Sequence, residues 1–302
     1  MLTKHPLVLA LAAALMAGAI LVGMYTAQHE FDEPTVAPPQ LEPTRLLPDW
    51  RHEDLPDFSQ YTVISELKEA FFDFLFPRIA LANHQILRLR DYAEELSGLE
   101  TLTERQLDWL ETQSERLRVP GEPGTEAHFD ALIKRLDIIP PSLMLAQAAN
   151  ESAWGTSRFA LQGNNLFGQW CFVEGCGLVP SRRAEGMNHE VAVYDSPYAS
   201  IRSYITNLNR HNAYNDLRLV RSQQRAEDEL PDGHTLAGGL ASYSERGMAY
   251  VTEIRSMINF NNLSEYDERL EALVDSEDIH EELDELVRSY RQRFSQNDSP
   301  PE

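Results

Sequence analysis

Cysteine is scarce in this 302-residue chain, which contains only Cys171 and Cys176. Two cysteines without a histidine at ligand spacing are too few for the four ligands of a structural zinc site. Because they lie close together in a glycine-containing segment, they can instead close a small disulfide loop in an oxidising compartment. We expect that disulfide rather than two free thiols, and no metal.

Positive charge is also sparse, since the chain has 26 Lys and Arg residues and 48 Asp and Glu residues, which gives a formal net charge of −22. Binding to a nucleic-acid backbone needs a basic face, so nucleic acid is excluded as a partner. Much of the acidic excess lies in residues 264–302, where apolar residues still recur at near-helical spacing. We interpret this region as an acidic amphipathic helix in a solvated accessory tail. Its apolar positions are Leu270, Val274, Leu283, Leu286 and Tyr290.

Charge is missing altogether from Leu7 to Ala27. That length is close to the ~20 residues that a helix needs to cross a bilayer. The segment ends in Tyr25-Thr26-Ala27, a poor cleavage site, which favours an uncleaved anchor at 1–27 over a cleaved secretion signal. Lys4 precedes the apolar run and acidic residues follow it, so the rest of the chain is expected outside the cytoplasm. In a bacterium this predicts an inner-membrane protein whose body lies in the periplasm.

The remaining chain divides by composition. Residues 28–57 hold six prolines among several acids, which suits an extended linker. Residues 58–124 carry an aromatic cluster from Phe71 to Phe76 and a capping box at Thr103 and Gln106, which predict a helical accessory segment. An aromatic cluster could bind sugars, but its helical spacing favours core packing. Residues 125–263 form the main domain.

Helical patterns dominate this domain. Pro140-Pro141 precedes the helix that begins near Ser142, and Ser196-Pro197 begins another. Between them, glycines and an alternating segment from His189 to Tyr194 predict short strands around a turn at 185–188. The fold class is therefore mainly α, with one small inserted β-hairpin.

Glu151 lies at the end of the helix "SLMLAQAANE", which is apolar on nearly every face. A helical Glu is by default a solvated surface residue, but here burial of the helix partly desolvates the carboxylate. Desolvation raises the carboxyl pKa, which a general acid for glycoside cleavage requires. Aromatic, amide and glycine residues follow and suit an N-acetylated sugar, although ordinary core packing is an equal alternative for Trp154 and Phe167. The candidate substrate-binding residues are Trp154, Asn164, Asn165, Phe167 and Gly168.

The stretch "QAANESAWGTSRFALQGNNLFGQW" resembles the signature of the glucosaminidase domain of glycoside hydrolase family 73. "VYDSPYASIRSYITNL" and "LASYSERGMAYVTEIRSMI" resemble later segments of that domain, so the similarity covers residues 125–263 in order. "FFDFLFPRIALAN" and "CFVEGCGLVPSRR" are similar to the Bax-like branch of Gram-negative bacteria. The resemblance implies a lysozyme-like α fold, cleavage of peptidoglycan on the reducing side of N-acetylglucosamine, and no cofactor.

The resemblance also implies roles for single residues. Glu151 corresponds to the catalytic acid, and Tyr243 to a tyrosine that lines the active site. A second carboxylate is expected on the hairpin, with Glu185 preferred over Glu190 and Glu174. Residues 244–247, Ser-Glu-Arg-Gly, depart from the usual Ala-Thr-Asp-Pro of the family.

Several mechanisms and functions remain open from the sequence. Two catalytic carboxyls ~5 Å apart imply retention of the anomeric configuration, whereas a separation of ~6.5–9.5 Å implies inversion. A third route, attack by the substrate's own acetamido group, needs only Glu151 and a polar residue such as Tyr243 or Asn165 to orient the amide. The alternatives to a glucosaminidase are a lytic transglycosylase and a non-catalytic wall-binding scaffold. Neither the oligomeric state nor the regulation is predicted.

Overall fold

The computed structural model describes residues 47–181, 183, 186–227 and 230–294. Its architecture is mainly helical, as predicted. The α-helices, in chain order, are α1 (Ile64–Ser97), α2 (Glu104–Leu117), α3 (Glu126–Ile133), α4 (Pro141–Ser152), α5 (Arg158–Gly163), α6 (Pro197–Arg210), α7 (Asn215–Ala226), α8 (Gly233–Leu236), α9 (Met248–Phe260), α10 (Ser264–Val274) and α11 (Ile279–Phe294). Short 3-10 helices are Asp49–His52, Phe58–Gln60, Asn212–Tyr214 and Ala237–Leu240.

The expected anchor at 1–27 and residues 28–46 of the expected linker lie outside the described residues. In the part of the chain that is described, no helix combines the length and the apolarity needed to cross a membrane. The last residues of the expected linker are packed rather than extended. Trp50 is buried, and its indole N–H donates to the Asp284 carboxylate at 2.7 Å.

Helix α1 is the central element of the core. It spans 34 residues and packs against α3, α4, α6, α10 and α11. Its middle part, from Ala70 to Asn83, is buried on almost every face, and Phe71, Leu75 and Ile79 are fully buried. One contiguous cluster of buried apolar side chains contains residues of α1, of the 125–263 segment and of α11. The aromatic cluster therefore packs in the core, and the helices expected to form a separate accessory segment share that core with the main domain.

The acidic C-terminal region forms two amphipathic helices, α10 and α11. Leu270, Leu283 and Val287 are buried against the rest of the protein, and α11 lies along α1. The expectation of a solvated tail is corrected for residues 264–294. Burial of the apolar stripe of each helix against the protein is favourable, and it leaves the acidic residues of the opposite face exposed to solvent.

The inserted β structure is a three-stranded antiparallel sheet instead of a single hairpin. Strand β3 (Glu190–Ala192) lies between β1 (Trp170–Cys171) and β2 (Gly177–Leu178). The third strand is possible because the chain approaches β3 closely at Gly177, where an added Cβ would lie 2.0 Å from the Val191 carbonyl oxygen. A disulfide joins Cys171 to Cys176 and closes the loop between β1 and β2.

Helix α4 carries Glu151 and is buried along almost its whole length. It begins at Pro140-Pro141, so it has no capping side chain of its own. Asp267 of α10 supplies the cap, because its carboxylate accepts from the Ser142 amide at 2.8 Å and from the Ser142 hydroxyl at 2.5 Å. The same carboxylate accepts from the Gly233 amide at 3.2 Å. The C-terminal region thus fixes the N-terminal end of the helix whose other end carries Glu151.

Replacing Asp267 with Ala should therefore lower the free energy of unfolding by about 2 kcal/mol, since the helix cap and a buried hydroxyl partner are lost together. Urea denaturation followed by circular dichroism measures this change. Glu268→Ala is the matched control, because Glu268 is an exposed acidic residue of the same helix. Equal stability of the two variants would contradict the proposed cap.

Candidate active site

The Glu151 carboxyl lies in the last turn of α4 and is half-buried. Its Oε1 accepts a hydrogen bond from the Tyr250 hydroxyl at 2.8 Å and one from the Asn150 amide at 3.4 Å. Burial raises the pKa of this carboxyl above that of an ordinary Glu, while the two hydrogen bonds oppose the rise. Burial is the largest of these effects, so the carboxyl holds its proton to a higher pH than a solvated glutamate.

Tyr250 is held by a chain of hydrogen bonds that begins in the core. The Gln147 Nε2 donates to the Tyr250 oxygen at 2.8 Å, and the Tyr204 hydroxyl donates to Gln147 Oε1. All three side chains are buried. Because Gln147 donates into the Tyr250 oxygen, the proton of Tyr250 is directed to Glu151. This chain fixes the orientation of the Glu151 carboxyl and leaves Oε2 for other partners.

Sequence reasoning missed Gln147, Tyr204 and Tyr250. Two signals could have identified two of them. Gln147 precedes Glu151 by four residues, the spacing that places two residues on one face of a helix. Tyr250 is the second tyrosine of "LASYSERGMAY", the segment from which only the first tyrosine, Tyr243, was selected.

Tyr243 lies beside Tyr250, with the two rings stacked at 5.5 Å and inclined by 10°. Its hydroxyl donates to the Phe167 carbonyl oxygen at 2.7 Å. Burial raises the pKa of Tyr243 well above its usual value, so the hydroxyl keeps its proton. Tyr243 therefore fastens the loop that contains Phe167 to the end of α4 that carries Glu151.

The loop of residues 164–168 approaches Glu151 at Gly168. There the backbone has φ +64°, and an added Cβ would lie 3.5 Å from Glu151 Oε2. Two side chains of the same loop, Asn165 and Phe167, contact other parts of the protein. Asn165 is buried, and its amide binds the backbone of Gln169 and Ala192, while the Phe167 ring stacks on Tyr204 at 4.0 Å.

The remaining candidates for sugar contact, Asn164 and Trp154, also have partners in the protein. The Asn164 amide donates to the Tyr194 carbonyl at 3.0 Å. Trp154 packs edge-on against Phe71 and Phe72 of α1, at ring distances of 5.7 and 5.4 Å. These contacts hold the loops around Glu151, and Gly168 is the predicted substrate-binding residue that borders its Oε2.

The candidates for a second carboxylate have different surroundings. Glu185 lies outside the described residues, and Glu174 is exposed. Glu190 is 5% exposed, and its carboxylate accepts from the amides of Gly175 and Gly177 at 3.1 and 2.8 Å. These backbone hydrogen bonds lower the pKa of Glu190. Glu190 therefore holds the disulfide loop on the sheet.

One further ion pair influences Glu151. Arg246 contacts the Glu253 carboxylate at 2.7 Å, and both are partly exposed. The Glu253 charge raises the pKa of Glu151, and the Arg246 charge lowers it. Arg246 belongs to the Ser-Glu-Arg-Gly segment that departs from the usual family motif, so this departure affects the electrostatics of the site.

The described residues contain one group of metal-type ligands, formed by Cys171, Cys176 and Glu190. Both sulfur atoms are consumed by the disulfide, and the Glu190 carboxylate is bound by two backbone amides. A metal ion needs thiolates and a free carboxylate at such a site. The group therefore stabilises the loop covalently and by hydrogen bonds.

Replacing Tyr250 with Phe should raise the pKa of Glu151, because the hydroxyl that favours the charged carboxylate is removed. Carbon-13 NMR titration of the Glu151 carboxyl measures the change. Tyr243→Phe is the control, since its hydroxyl binds the Phe167 carbonyl and not Glu151. An unchanged or lower pKa in Tyr250→Phe would contradict the assigned hydrogen bond.

Comparison with known proteins places the chain in a family. The sequence model of the glucosaminidase family, described as mannosyl-glycoprotein endo-beta-N-acetylglucosaminidase, matches residues 126–263, which include Glu151, Tyr243 and Tyr250. Protein bax from Escherichia coli (strain K12) is 31% identical over 214 residues, covering 70% of this chain and 76% of that protein. No solved structure shows a significant match. The chain therefore belongs to the Bax-like family of glucosaminidase-domain proteins.

Proposed function

We propose that this protein is a peptidoglycan hydrolase, an endo-β-N-acetylglucosaminidase that cleaves the glycan strand after N-acetylglucosamine with Glu151 as the general acid. The observation that carries the proposal is the half-buried carboxyl of Glu151, raised in pKa by burial and oriented by Tyr250 within a glucosaminidase-family segment. A carboxyl whose pKa is raised by burial holds its proton to a higher pH than an ordinary Glu, and that proton can be given to the oxygen of a leaving sugar.

The two oxygens of Glu151 have different tasks in this proposal. Oε1 accepts from Tyr250 and Asn150, so it fixes the carboxyl. Oε2 lies beside Gly168, where an added Cβ would be in van der Waals contact with it at 3.5 Å. We assign the transferred proton to Oε2, from which it passes to the glycosidic oxygen as the bond to the sugar breaks.

The second group of the reaction is also a proposal. Glu190 is held by the amides of the disulfide loop, and Glu174 is exposed, so Glu185 is our choice for a nucleophile or general base. Retention and inversion both remain compatible with that choice. Attack by the acetamido oxygen of the substrate is the third route, with Tyr243 or Asn165 as the residue that orients the amide.

A lytic transglycosylase is the second candidate function. It is favoured by the surroundings of Glu190 and Glu253, whose carboxylates are held by backbone amides and by an ion pair, respectively. An enzyme of that class needs one acid and yields an anhydro product. A non-catalytic scaffold is the third candidate, and the preserved surroundings of Glu151 argue against it.

We further propose that the helical fold is lysozyme-like, with the small sheet as its β portion. We also propose that the protein is anchored in the inner membrane by residues 1–27 and acts on peptidoglycan from the periplasm. The disulfide between Cys171 and Cys176 supports an oxidising compartment.

Replacing Glu151 with Gln should abolish hydrolysis of purified sacculi, by at least about 10²-fold, because an amide cannot donate the acid proton. Dye release from labelled sacculi measures turnover, and a pull-down with insoluble sacculi checks that binding persists. Glu174→Gln is the control, as it removes an exposed carboxylate from the sheet region and should retain wild-type turnover. Undiminished turnover in Glu151→Gln would refute the assignment of the acid.

The two hairpin carboxylates should respond differently to substitution. Glu185→Gln should lower kcat while the melting temperature is unchanged, because its proposed role is chemical. Glu190→Gln should lower the melting temperature, because a neutral acceptor binds the two loop amides less strongly than a carboxylate. Steady-state kinetics and thermal denaturation of both variants test this, and loss of kcat confined to Glu190→Gln would reverse our assignment.

A further inference from the structure

A pocket of about 280 Å³ lies between α1, α10 and α11. All three helices lie outside residues 126–263, the segment that the family model matches. The pocket has the space of about nine water molecules of the liquid, so it suits a ligand with a similar number of non-hydrogen atoms. Two acids, two arginines and three aromatic rings line it. This mixture of charges on an aromatic surface limits the kinds of ligand that fit.

Asp73 of α1 provides an anionic wall. Its side chain is 18% exposed, and burial raises the pKa of the carboxyl, while the charges of Arg293 and Arg269 oppose the rise. Arg293 is shared between two acids, since it contacts Asp73 at 2.9 Å and Glu69 at 2.6 Å. Because two carboxylates divide one close guanidinium, a further cation beside Asp73 is electrostatically favoured.

A backbone acceptor adds to this wall. Pro77 lies inside α1 and lines the pocket. Because proline has no N–H, it cannot donate the helical hydrogen bond to the carbonyl oxygen four residues earlier, which is that of Asp73. Residues four apart lie on one face of a helix, so this acceptor is on the same side of α1 as the Asp73 carboxylate. Together the two groups suit an ammonium ion, which has three N–H donors.

Arg269 of α10 provides a cation on another wall. Its guanidinium lies 4.4 Å from the centre of the Phe76 ring and 4.9 Å from that of Tyr266. These aromatic faces hold the guanidinium by cation–π contact. Among the residues that the structure describes, none accepts a hydrogen bond from Arg269 or forms a salt bridge with it. A guanidinium that is held in place with its N–H donors available fits the two oxygens of a carboxylate.

We infer that this pocket binds a small zwitterionic peptide of the size of a dipeptide, whose ammonium group lies at Asp73 and whose carboxylate is held by Arg269. A ligand with only one of these charges would leave the other wall without a partner. The inference does not depend on the proposed function, because the pocket contains none of the residues to which a step of glycan cleavage is assigned.

Binding would also join the helices that form the pocket. Asp73 belongs to α1 and Arg269 to α10, so one ligand would contact both. Tyr266 of the wall directly precedes Asp267, which caps the helix that carries Glu151. Because the ligand binds the folded protein, it should raise the melting temperature.

The test is binding of glycylglycine to the full chain, measured by isothermal titration calorimetry beside two blocked forms of the same dipeptide. N-acetylglycylglycine lacks the ammonium group, and glycylglycine amide lacks the carboxylate. Each blocked form should bind at least about 10-fold more weakly, because hydrogen bonds between charged partners are lost. Differential scanning fluorimetry should show a rise in melting temperature with glycylglycine.

Two variants assign the ends of the ligand. Arg269→Gln should bind glycylglycine and its amide alike, because the group that distinguishes them is removed. Asp73→Asn should lose most of its preference for glycylglycine over the N-acetylated form. Arg288→Gln is the matched control, since Arg288 is an exposed arginine of α11 that pairs with Glu285 and lies outside the pocket lining. It should keep the preferences of the wild type.

No binding of glycylglycine at concentrations up to about 10 mM would overturn the inference. Equal affinity of the wild type for the free and blocked dipeptides would also overturn it, as would preferences that survive both substitutions. Circular dichroism of each variant excludes loss of fold as the cause of weaker binding. Hydrolysis of sacculi is a separate measurement, so failure of the proposed function and failure of this inference are distinguishable.

Discussion

The hydrogen bond from Tyr250 to Glu151, made at the end of a buried helix, is the interaction on which the account of this protein depends. Burial of α4 brings the carboxyl partly out of water and raises its pKa. Tyr250 then fixes one oxygen and leaves the other beside Gly168. Without the burial the carboxyl would be an ordinary surface acid, and without the tyrosine it would have no fixed direction.

The rest of the fold holds this end of α4 in place. Asp267 caps the beginning of the helix from α10, and α1 packs along it. Gln147 links Tyr250 to Tyr204 of α6, so that helices distant in sequence converge on one carboxyl. The regions before and after the glucosaminidase segment therefore belong to the same structural unit as the site. The family match to residues 126–263 therefore leaves out elements on which the site is built.

Much of the fold follows from local pattern. The mainly α class, the helix start at Pro141 and the amphipathic character of α10 and α11 could all be predicted, because periodicity and capping residues are local signals. The three-stranded sheet could not, since β2 pairs with β3 across an intervening loop and its strands have only two or three residues. The docking of the acidic helices was missed because an apolar stripe does not by itself show which surface of the protein covers it.

For the site, sequence reasoning selected Glu151 from the apolar helix that precedes it and Tyr243 from the family resemblance. It missed Tyr250 and Gln147 because their roles depend on hydrogen bonds between helices that lie far apart in the sequence. It selected Trp154 for sugar contact, and the structure packs this side chain against the phenylalanines of α1.

The most direct test of the central claim is the chemical identity of the new chain ends released from purified sacculi, determined by mass spectrometry of the muropeptides before and after borohydride reduction. Our account predicts reducing N-acetylglucosamine ends with the wild-type protein and none with Glu151→Gln. Anhydromuramyl ends from the wild-type protein, or the same ends from both proteins, would contradict it.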